Sequence, residues 1–206
     1  MAGPQTIGLI LAGGRARRMG GRDKAFLPFA GGNLMQRVIA RLHGQCDRLI
    51  INANRDLERL AAFDVPIVTD PVTGFAGPLA GMLAGLDWLA QHAPNAVLLT
   101  APVDGPFLPD DLGARLHAAA DAKGIGIACA QSGGRRHGVY GLLSSDLRDD
   151  LRHALIVDGS RKVDDWFARH DAAVAEWPSQ PIDPFFNVNT PDDLAFAEQY
   201  SRTIDN

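Results

Sequence analysis

A buried strand that opens into a glycine-rich, basic loop is the part of this chain best suited to chemistry. The apolar run Ile7–Leu11 predicts a short strand, and Gly13 and Gly14 follow it. Five basic residues then occur within ten positions: Arg15, Arg17, Arg18, Arg22 and Lys24. Glycines let backbone N–H groups approach phosphate oxygens, and basic side chains neutralise phosphate charge. The stretch therefore predicts phosphate binding, with a tight turn and a solvated basic loop as the alternative.

Asp104 is the candidate metal ligand. It follows the predicted strand Ala96–Thr100 in a segment rich in proline and glycine. Magnesium typically takes one or two carboxylates together with substrate phosphates, so a carboxylate that faces a phosphate loop suits it. A turn aspartate is the alternative, and no second carboxylate for such a site is evident.

Polar side chains follow two further predicted strands. Asn52 comes after Arg48–Ile51, and Asp70 comes after Val65–Val68. Guanine presents N1–H and N2–H donors, so acceptor oxygens at these positions would favour guanine over adenine. Turn formation explains Asn and Asp at strand ends equally well.

A row of glycines lies at the start of the next predicted helix, which begins at Pro78. Gly77, Gly81 and Gly85 recur every four residues, and each costs helix stability of about 1 kcal/mol relative to alanine. We expect Gly77 and Gly81 to face a nucleotide or its sugar, and Gly85 to allow close packing of the helix on the sheet.

The elements that must position these residues alternate between strand and helix. This order predicts one α/β domain, residues 1–206, with a Rossmann-like, doubly wound, mostly parallel sheet and helices on both faces. Because the carboxyl ends of parallel strands meet at one edge, the candidate residues are expected to converge there. We expect a nucleotide-binding half at about 6–110 and an acceptor-binding half at about 111–206.

Composition narrows the function classes. The 206 residues are 46% hydrophobic, which suits a full core, and carry a formal net charge of −4. That charge argues against general nucleic-acid binding, which needs a large basic field. No stretch approaches the length of a membrane-spanning segment, and two widely spaced cysteines predict reduced thiols in the cytoplasm.

Three separated motifs carry a resemblance to a known family. The chain has L-A-G-G-x-A-x-R-M-G-x-x-x-K from Leu11 to Lys24, G-P-L-A-G-M from Gly77 and N-V-N-T-P from Asn187. It resembles the nucleotidyltransferases of the pyrophosphorylase type, and among them the molybdenum cofactor guanylyltransferases, over about Ile7 to Phe196. The fold of that family is the nucleotide-diphospho-sugar transferase type.

The resemblance implies transfer of GMP from GTP to the phosphate of molybdopterin cofactor, with release of pyrophosphate and use of Mg²⁺. Lys24, Arg18 and Asp104 would be catalytic, with Asp104 also the metal ligand. The positions that match GTP-binding residues are Leu11, Ala12, Gly13, Gly14, Lys24, Asn52, Asp70, Gly77, Gly81 and Asp104. Asn187, Asn189, Arg161 and Lys162 are candidates for the acceptor, and proteins of molybdenum insertion and molybdoenzyme maturation are candidate partners.

Two alternatives stay open at this point. One is a related transferase that uses CTP or a sugar-phosphate acceptor. The other is a carrier that binds GTP or the cofactor without turnover, against which Lys24 and Asp104 speak. This chain has His137-Gly138 where many relatives have His-Pro, and we expect His137 to be structural.

Overall fold

The strands that the structure describes build one mixed sheet and one small hairpin. The computed structural model describes residues 4–13, 23–72 and 77–204. The strands are β1 Thr6–Leu11, β2 Pro28–Phe29, β3 Gly32–Asn33, β4 Arg48–Asn52, β5 Ile67–Val68, β6 Val97–Pro102, β7 Ile127–Ser132, β8 Arg135–Ser144 and β9 Ala173–Trp177. Seven of these described strands form a sheet in the order β5-β4-β1-β6-β8-β7-β9. Only β8 runs against its neighbours in that sheet.

Helices cover both faces of this sheet. They are α1 Leu34–His43, α2 Leu57–Leu60, α3 Pro78–His92, α4 Leu112–Lys123, α5 Arg148–Ile156, α6 Val163–Arg169 and α7 Pro191–Ile204. Along β1, Ile7 and Leu9 join the core beneath α3, α5 and α6, whereas Ile10 joins the core beneath α1 and α4. Alternate residues of a strand face opposite sides, so burial on both faces explains why the strand is apolar throughout. The predicted fold class is confirmed.

Local signals located the helix starts well. Asn33 caps α1 in a capping box with Gln36. Thr190 and Asp193 cap α7 reciprocally, because Thr190 Oγ1 accepts from Asp193 N–H while Asp193 Oδ2 accepts from Thr190 N–H. Gly85 packs on the sheet as expected, since an added Cβ would lie 2.8 Å from Leu98 Cδ2.

The bounds of strands and helices that depend on tertiary contacts were predicted less well. The strand expected from Val65 is only Ile67–Val68, because β5 pairs with just the last two residues of β4. The helix expected from Asp110 begins at Leu112, and the antiparallel orientation predicted for β8 is confirmed.

The C-terminal segment packs back on the N-terminal part of the chain. A third apolar cluster joins the β2–β3 hairpin to the loop after β6 and to α7; its buried members are Leu27, Phe29, Leu34, Phe107, Val188 and Ala197. The single domain and its division into a nucleotide half and an acceptor half stay predictions, and these contacts pack the β2–β3 hairpin against α7.

His137 belongs to a buried polar network, in agreement with the structural role expected for it. Ser132 Oγ lies 2.8 Å from His137 Nε2 and donates to Asp183 Oδ1, also at 2.8 Å. With the hydroxyl proton on the Asp183 bond, His137 Nε2–H is the donor to Ser132. Burial lowers the pKa of His137, and the nearby Asp183 opposes that shift only in part.

Two further findings concern the chain as a whole. Cys46 and Cys129 are free, and burial raises the pKa of Cys46 to about 12 and that of Cys129 to about 11. Among the described residues, no helix has both the length and the apolarity needed to cross a membrane.

We expect the free energy of unfolding to fall as the pH drops below about 6.5. The unfolded chain binds a proton at His137 near that pH, whereas the folded protein binds it only at lower pH, so acidification favours unfolding. Denaturant titrations between about pH 8 and pH 5 measure this, with His137→Gln as the comparison. The profile of the variant should be flatter below about pH 6.5, and identical profiles would contradict the assignment.

Candidate functional site

A cleft of about 430 Å³ opens where β1, β4, β5 and β6 end. It is lined by Leu11, Ala12, Gly13, Asp23, Lys24, Asn52, Asp70, Gly77, Pro78, Pro102, Val103, Asp104, Val139 and Asn187. Most of the residues expected to bind nucleotide therefore share one cavity. Gly14 and Arg18 lie outside the described residues.

Asp70 offers acceptor oxygens at one side of this cleft, and two asparagines hold it. Asn52 Nδ2 donates to Asp70 Oδ1 at 3.0 Å, and Asn54 Nδ2 donates to Asp70 Oδ2 at 2.8 Å. Asn54 Oδ1 also accepts from the Asp70 backbone N–H. A carboxylate oxygen has two lone pairs, so both oxygens of Asp70 can still accept from a base.

Asn52 itself is a support in this arrangement. It is 3% exposed, and its Nδ2 also donates to Val68 O at 3.3 Å. Its Oδ1 packs against Gly81, where an added Cβ would lie only 2.3 Å away. Gly81 is thus required for the close approach of Asn52, and it does not line the cleft. Direct contact of Gly81 with a nucleotide stays a prediction, whereas Gly77 does line the cavity.

Asn54 is the supporting residue that sequence reasoning missed. It stands two positions after Asn52, the last residue of β4, but only the pairing of β4 with β5 brings Asp70 beside these asparagines. A second polar amide after a strand is a weak signal, because turns use the same residue type.

Asp23 also lines the cleft without having been predicted to do so. Its side chain accepts from Ala25 N–H at 2.9 Å and caps the 3-10 turn Lys24–Phe26. Burial raises the pKa of this carboxyl, and Asp56 adds to the effect.

Lys24 and Asp104 form an ion pair at the opposite side of the cleft from Asp70. Lys24 Nζ lies 2.6 Å from Asp104 Oδ2 and 2.8 Å from Asn189 Oδ1. The side chains of the pair are only 19% and 17% exposed, so water screens their attraction less than at an open surface. The ammonium therefore bridges the loop after β6 and the segment before α7.

The oxygens around this ammonium fit a hard cation. Asp104 supplies a carboxylate and Asn189 an amide oxygen, both of which are ligand types that Mg²⁺ accepts. No cluster of three metal-binding side chains of the His, Cys, Asp or Glu type occurs in the part of the chain that the structure describes. The donor set thus suits a metal ion that completes its coordination with substrate phosphates and water.

The remaining residues predicted to bind the acceptor substrate differ in whether they line the cleft. Asn187 lines the cleft, and the adjacent Val188 N–H donates to Asp104 O at 2.8 Å. Arg161 and Lys162 are exposed and do not line the described cavity. The backbone oxygen of Arg161 is nevertheless 3.9 Å from the Cβ position of Gly77, which places this loop beside the start of α3.

Solved structures show the same fold. A molybdopterin-guanine dinucleotide biosynthesis protein A from Archaeoglobus fulgidus superposes with a TM-score of 0.73 over 96% of this chain and 100% of that one, at 22% identity. A 4-diphosphocytidyl-2C-methyl-D-erythritol synthase from Anaerococcus prevotii also reaches 0.73, over 97% and 96% of the two chains, at 13% identity. A Mycobacterium tuberculosis protein in complex with manganese reaches 0.67, over 95% and 98%, at 19% identity. These solved structures therefore show that the chain shares their fold.

Sequence relatives are more specific. A molybdenum cofactor guanylyltransferase of Rhodopseudomonas palustris strain BisB5 is 54% identical over 95% of this chain and 94% of its own length. Another from Shewanella sp. strain MR-4 is 43% identical over 91% and 92%. The family model described as the MobA-like NTP transferase domain matches residues 8–176. The predicted nucleotidyltransferase resemblance is confirmed, and the chain belongs to the MobA-like NTP transferase family.

Proposed function

We propose that the chain transfers GMP from GTP to the terminal phosphate of molybdopterin cofactor and releases pyrophosphate. The observation that carries this proposal is one cleft with Asp70 at one side and the Lys24–Asp104 pair at the other. A guanine base needs hydrogen-bond acceptors, whereas a triphosphate needs positive charge, and the two sides of the cleft would supply them. The relatives are named for guanylyl transfer.

The base end supports guanine. Asp70 is an acceptor held in place by Asn52 and Asn54, and guanine N1–H and N2–H would donate to its two oxygens. Adenine lacks this pair of donors, so the two hydrogen bonds that guanine would donate to the carboxylate would not form. Loss of a bond to a charged group costs roughly 1.5–3 kcal/mol.

The phosphate end supports in-line transfer between two anions. The Gly13 backbone and Lys24 would bind phosphate oxygens, with Arg18 as a further cation. Asp104 would hold Mg²⁺ together with the substrate phosphates, and Asn189 Oδ1 lies beside that position. The metal ion, when bound, neutralises charge on the departing pyrophosphate.

The attacking group needs no strong base. A phosphate monoester is already ionised near neutral pH, since its second pKa is about 6. What the protein must supply is position and positive charge, which is the usual requirement of phosphoryl chemistry.

The acceptor would lie on the side of Asn187 and Asn189, with Arg161 and Lys162 near the rim to meet its phosphate. Proteins that load molybdenum or receive the finished cofactor are the partners that this reaction implies. Two free cysteines, Cys129 buried and Cys46 half-buried, suit a reducing compartment, and we place the reaction in the cytoplasm.

The first test is pyrophosphate release from purified protein with molybdopterin cofactor, Mg²⁺ and GTP, CTP or ATP in turn. Release should require the cofactor, and of the three nucleotides only GTP should support it. Lys24→Ala and Asp104→Ala should each lose about 100-fold or more in kcat, by the scale of one lost oxyanion donor. Release with CTP would contradict the base assignment, and GTP binding without any release would favour a carrier.

The support of Asp70 can be tested through Asn54→Ala. The variant removes two hydrogen bonds to Asp70, so its affinity for GTP should fall about tenfold. Equilibrium titration with GTP measures this. Asn33→Ala is the matched control, since it removes the cap of α1 and costs about 1 kcal/mol of stability without touching the cleft. Equal GTP affinity in wild type and Asn54→Ala would sink the idea.

Metal binding should depend on the nucleotide. Because the described residues supply so few ligands, Mn²⁺ used as a paramagnetic probe should bind weakly to the protein alone and tightly with GTP present. Asp104→Asn should abolish the tight binding, whereas Asp110→Asn, on the same loop but 77% exposed, should not. Tight Mn²⁺ binding by Asp104→Asn would remove this residue from the metal site.

A further inference from the structure

Tyr140 lies at an irregularity of β8 next to the cleft. Cys129 of β7 pairs with Gly141, but the next residue, Ala130, pairs with His137. The three residues between them on β8, 138–140, have no partner in this step of the ladder. The pairing of β8 with β6 also stops at Gly141. Bulges of this kind bend a strand and re-aim its side chains, so Tyr140 leaves the regular sheet here.

The hydroxyl of Tyr140 is buried between the two loops that form the phosphate end. The side chain is fully buried, and its Oη donates to Asn187 Oδ1 at 3.0 Å. On the other side it touches Gly105, where an added Cβ would lie 1.9 Å from Oη. Gly105 directly follows Asp104, so the same hydroxyl contacts both the loop after β6 that carries Asp104 and the segment that begins at Asn187.

This contact occupies the amide oxygen of Asn187 and leaves its Nδ2–H groups to face the cleft. A buried phenol needs an acceptor for its proton, and Asn187 Oδ1 is the acceptor it has. Burial, with Asp104 and Asp183 nearby, raises the pKa of Tyr140 well above its usual value, so the hydroxyl stays protonated and remains a donor. Among the described residues, no acceptor takes a hydrogen bond from Asn187 Nδ2, although Asn187 lines the cleft.

We propose that Tyr140 is a positioning residue that holds Asn187 so that its Nδ2–H donors, rather than its oxygen, meet the acceptor substrate. The ligand group would be an anionic or carbonyl oxygen of that substrate, such as its phosphate. Asn187 would then act as a hydrogen-bond donor to the acceptor, and the metal ion would rely on Asp104 and the neighbouring Asn189. The identity of the acceptor rests on the proposed function, but the Tyr140–Asn187 contact does not.

Tyr140→Phe is the direct test, since it removes the hydroxyl and keeps the ring. The KM for molybdopterin cofactor should rise about tenfold, as expected for a lost bond to a charged group, while the KM for GTP stays unchanged. A residue that is merely structural would lower the melting temperature and leave both KM values alone. Unchanged KM values in Tyr140→Phe, with an active wild type, would overturn the proposal.

The orientation of the amide is tested at Asn187. Asn187→Asp keeps the size and the oxygen bonded to Tyr140 but replaces the N–H donors by a second, charged oxygen. It should impair use of the cofactor more than Asn187→Ala does, because a carboxylate repels a phosphate. If Asn187→Asp uses the cofactor more efficiently than Asn187→Ala, an oxygen is needed at this position, which contradicts the donor role.

A double-mutant cycle on the substrate-free protein separates this inference from the proposed function. Tyr140→Phe should lower the melting temperature in the wild type and lower it less in the Asn187→Ala background, because the partner is already gone. Thr6→Val is the control, since it removes a buried hydroxyl that lies 3.0 Å from His117 Nε2 at the other end of β1; it should not couple to Asn187→Ala. Additive effects of Tyr140→Phe and Asn187→Ala would refute the contact even if no transferase activity were found.

Discussion

The bridge that Lys24 makes between Asp104 and Asn189 is the interaction on which the rest of the site depends. It joins Lys24 to Asp104, which is 80 positions away in the chain, and to Asn189, which is 165 positions away. A carboxylate that is mostly buried is costly unless a cation or several donors meet it, so this pair favours one relative placement of the turn that begins at Lys24, the end of β6 and the segment before α7. The backbone bond from Val188 to Asp104 holds the same junction, and the apolar cluster around Phe107 packs beneath the same segments.

Two polar groups that line the cleft, Asp70 and Asn187, are each held by a second residue that does not need to reach a substrate. Asn54 holds Asp70, and Tyr140 holds Asn187. Such supports reduce the freedom of a side chain before a ligand arrives, which lowers the entropic cost of binding. Space for them comes from glycine: Gly81 admits Asn52, and Gly105 admits the Tyr140 hydroxyl. Gly81, which belongs to the G-P-L-A-G-M motif, therefore serves close packing.

Much of the architecture could be predicted from local patterns. Apolar runs of strand length followed by turn residues located most of the strands, and caps such as Asn33 located helix starts, because these signals depend on near neighbours. The length of β5 was not predictable, since it depends on pairing with Asn52 and Ile51. The irregular pairing of β8 at Tyr140 was not predictable either, because no sequence pattern records how far two strands slip past each other.

The candidate site divides in the same way. The sequence by itself determined the fold class, the family and the residue types that meet at the carboxyl ends of the strands, because strand–turn–helix order and short motifs carry that information. Only the tertiary structure decided which atoms meet. It gave Asn52 and Gly81 to the support of Asp70, brought Asn189 to Lys24 and set Tyr140 against Asn187. Those contacts join residues that lie far apart in the chain, and their geometry depends on strand register and on the volume of neighbouring side chains, which are properties of the packed protein.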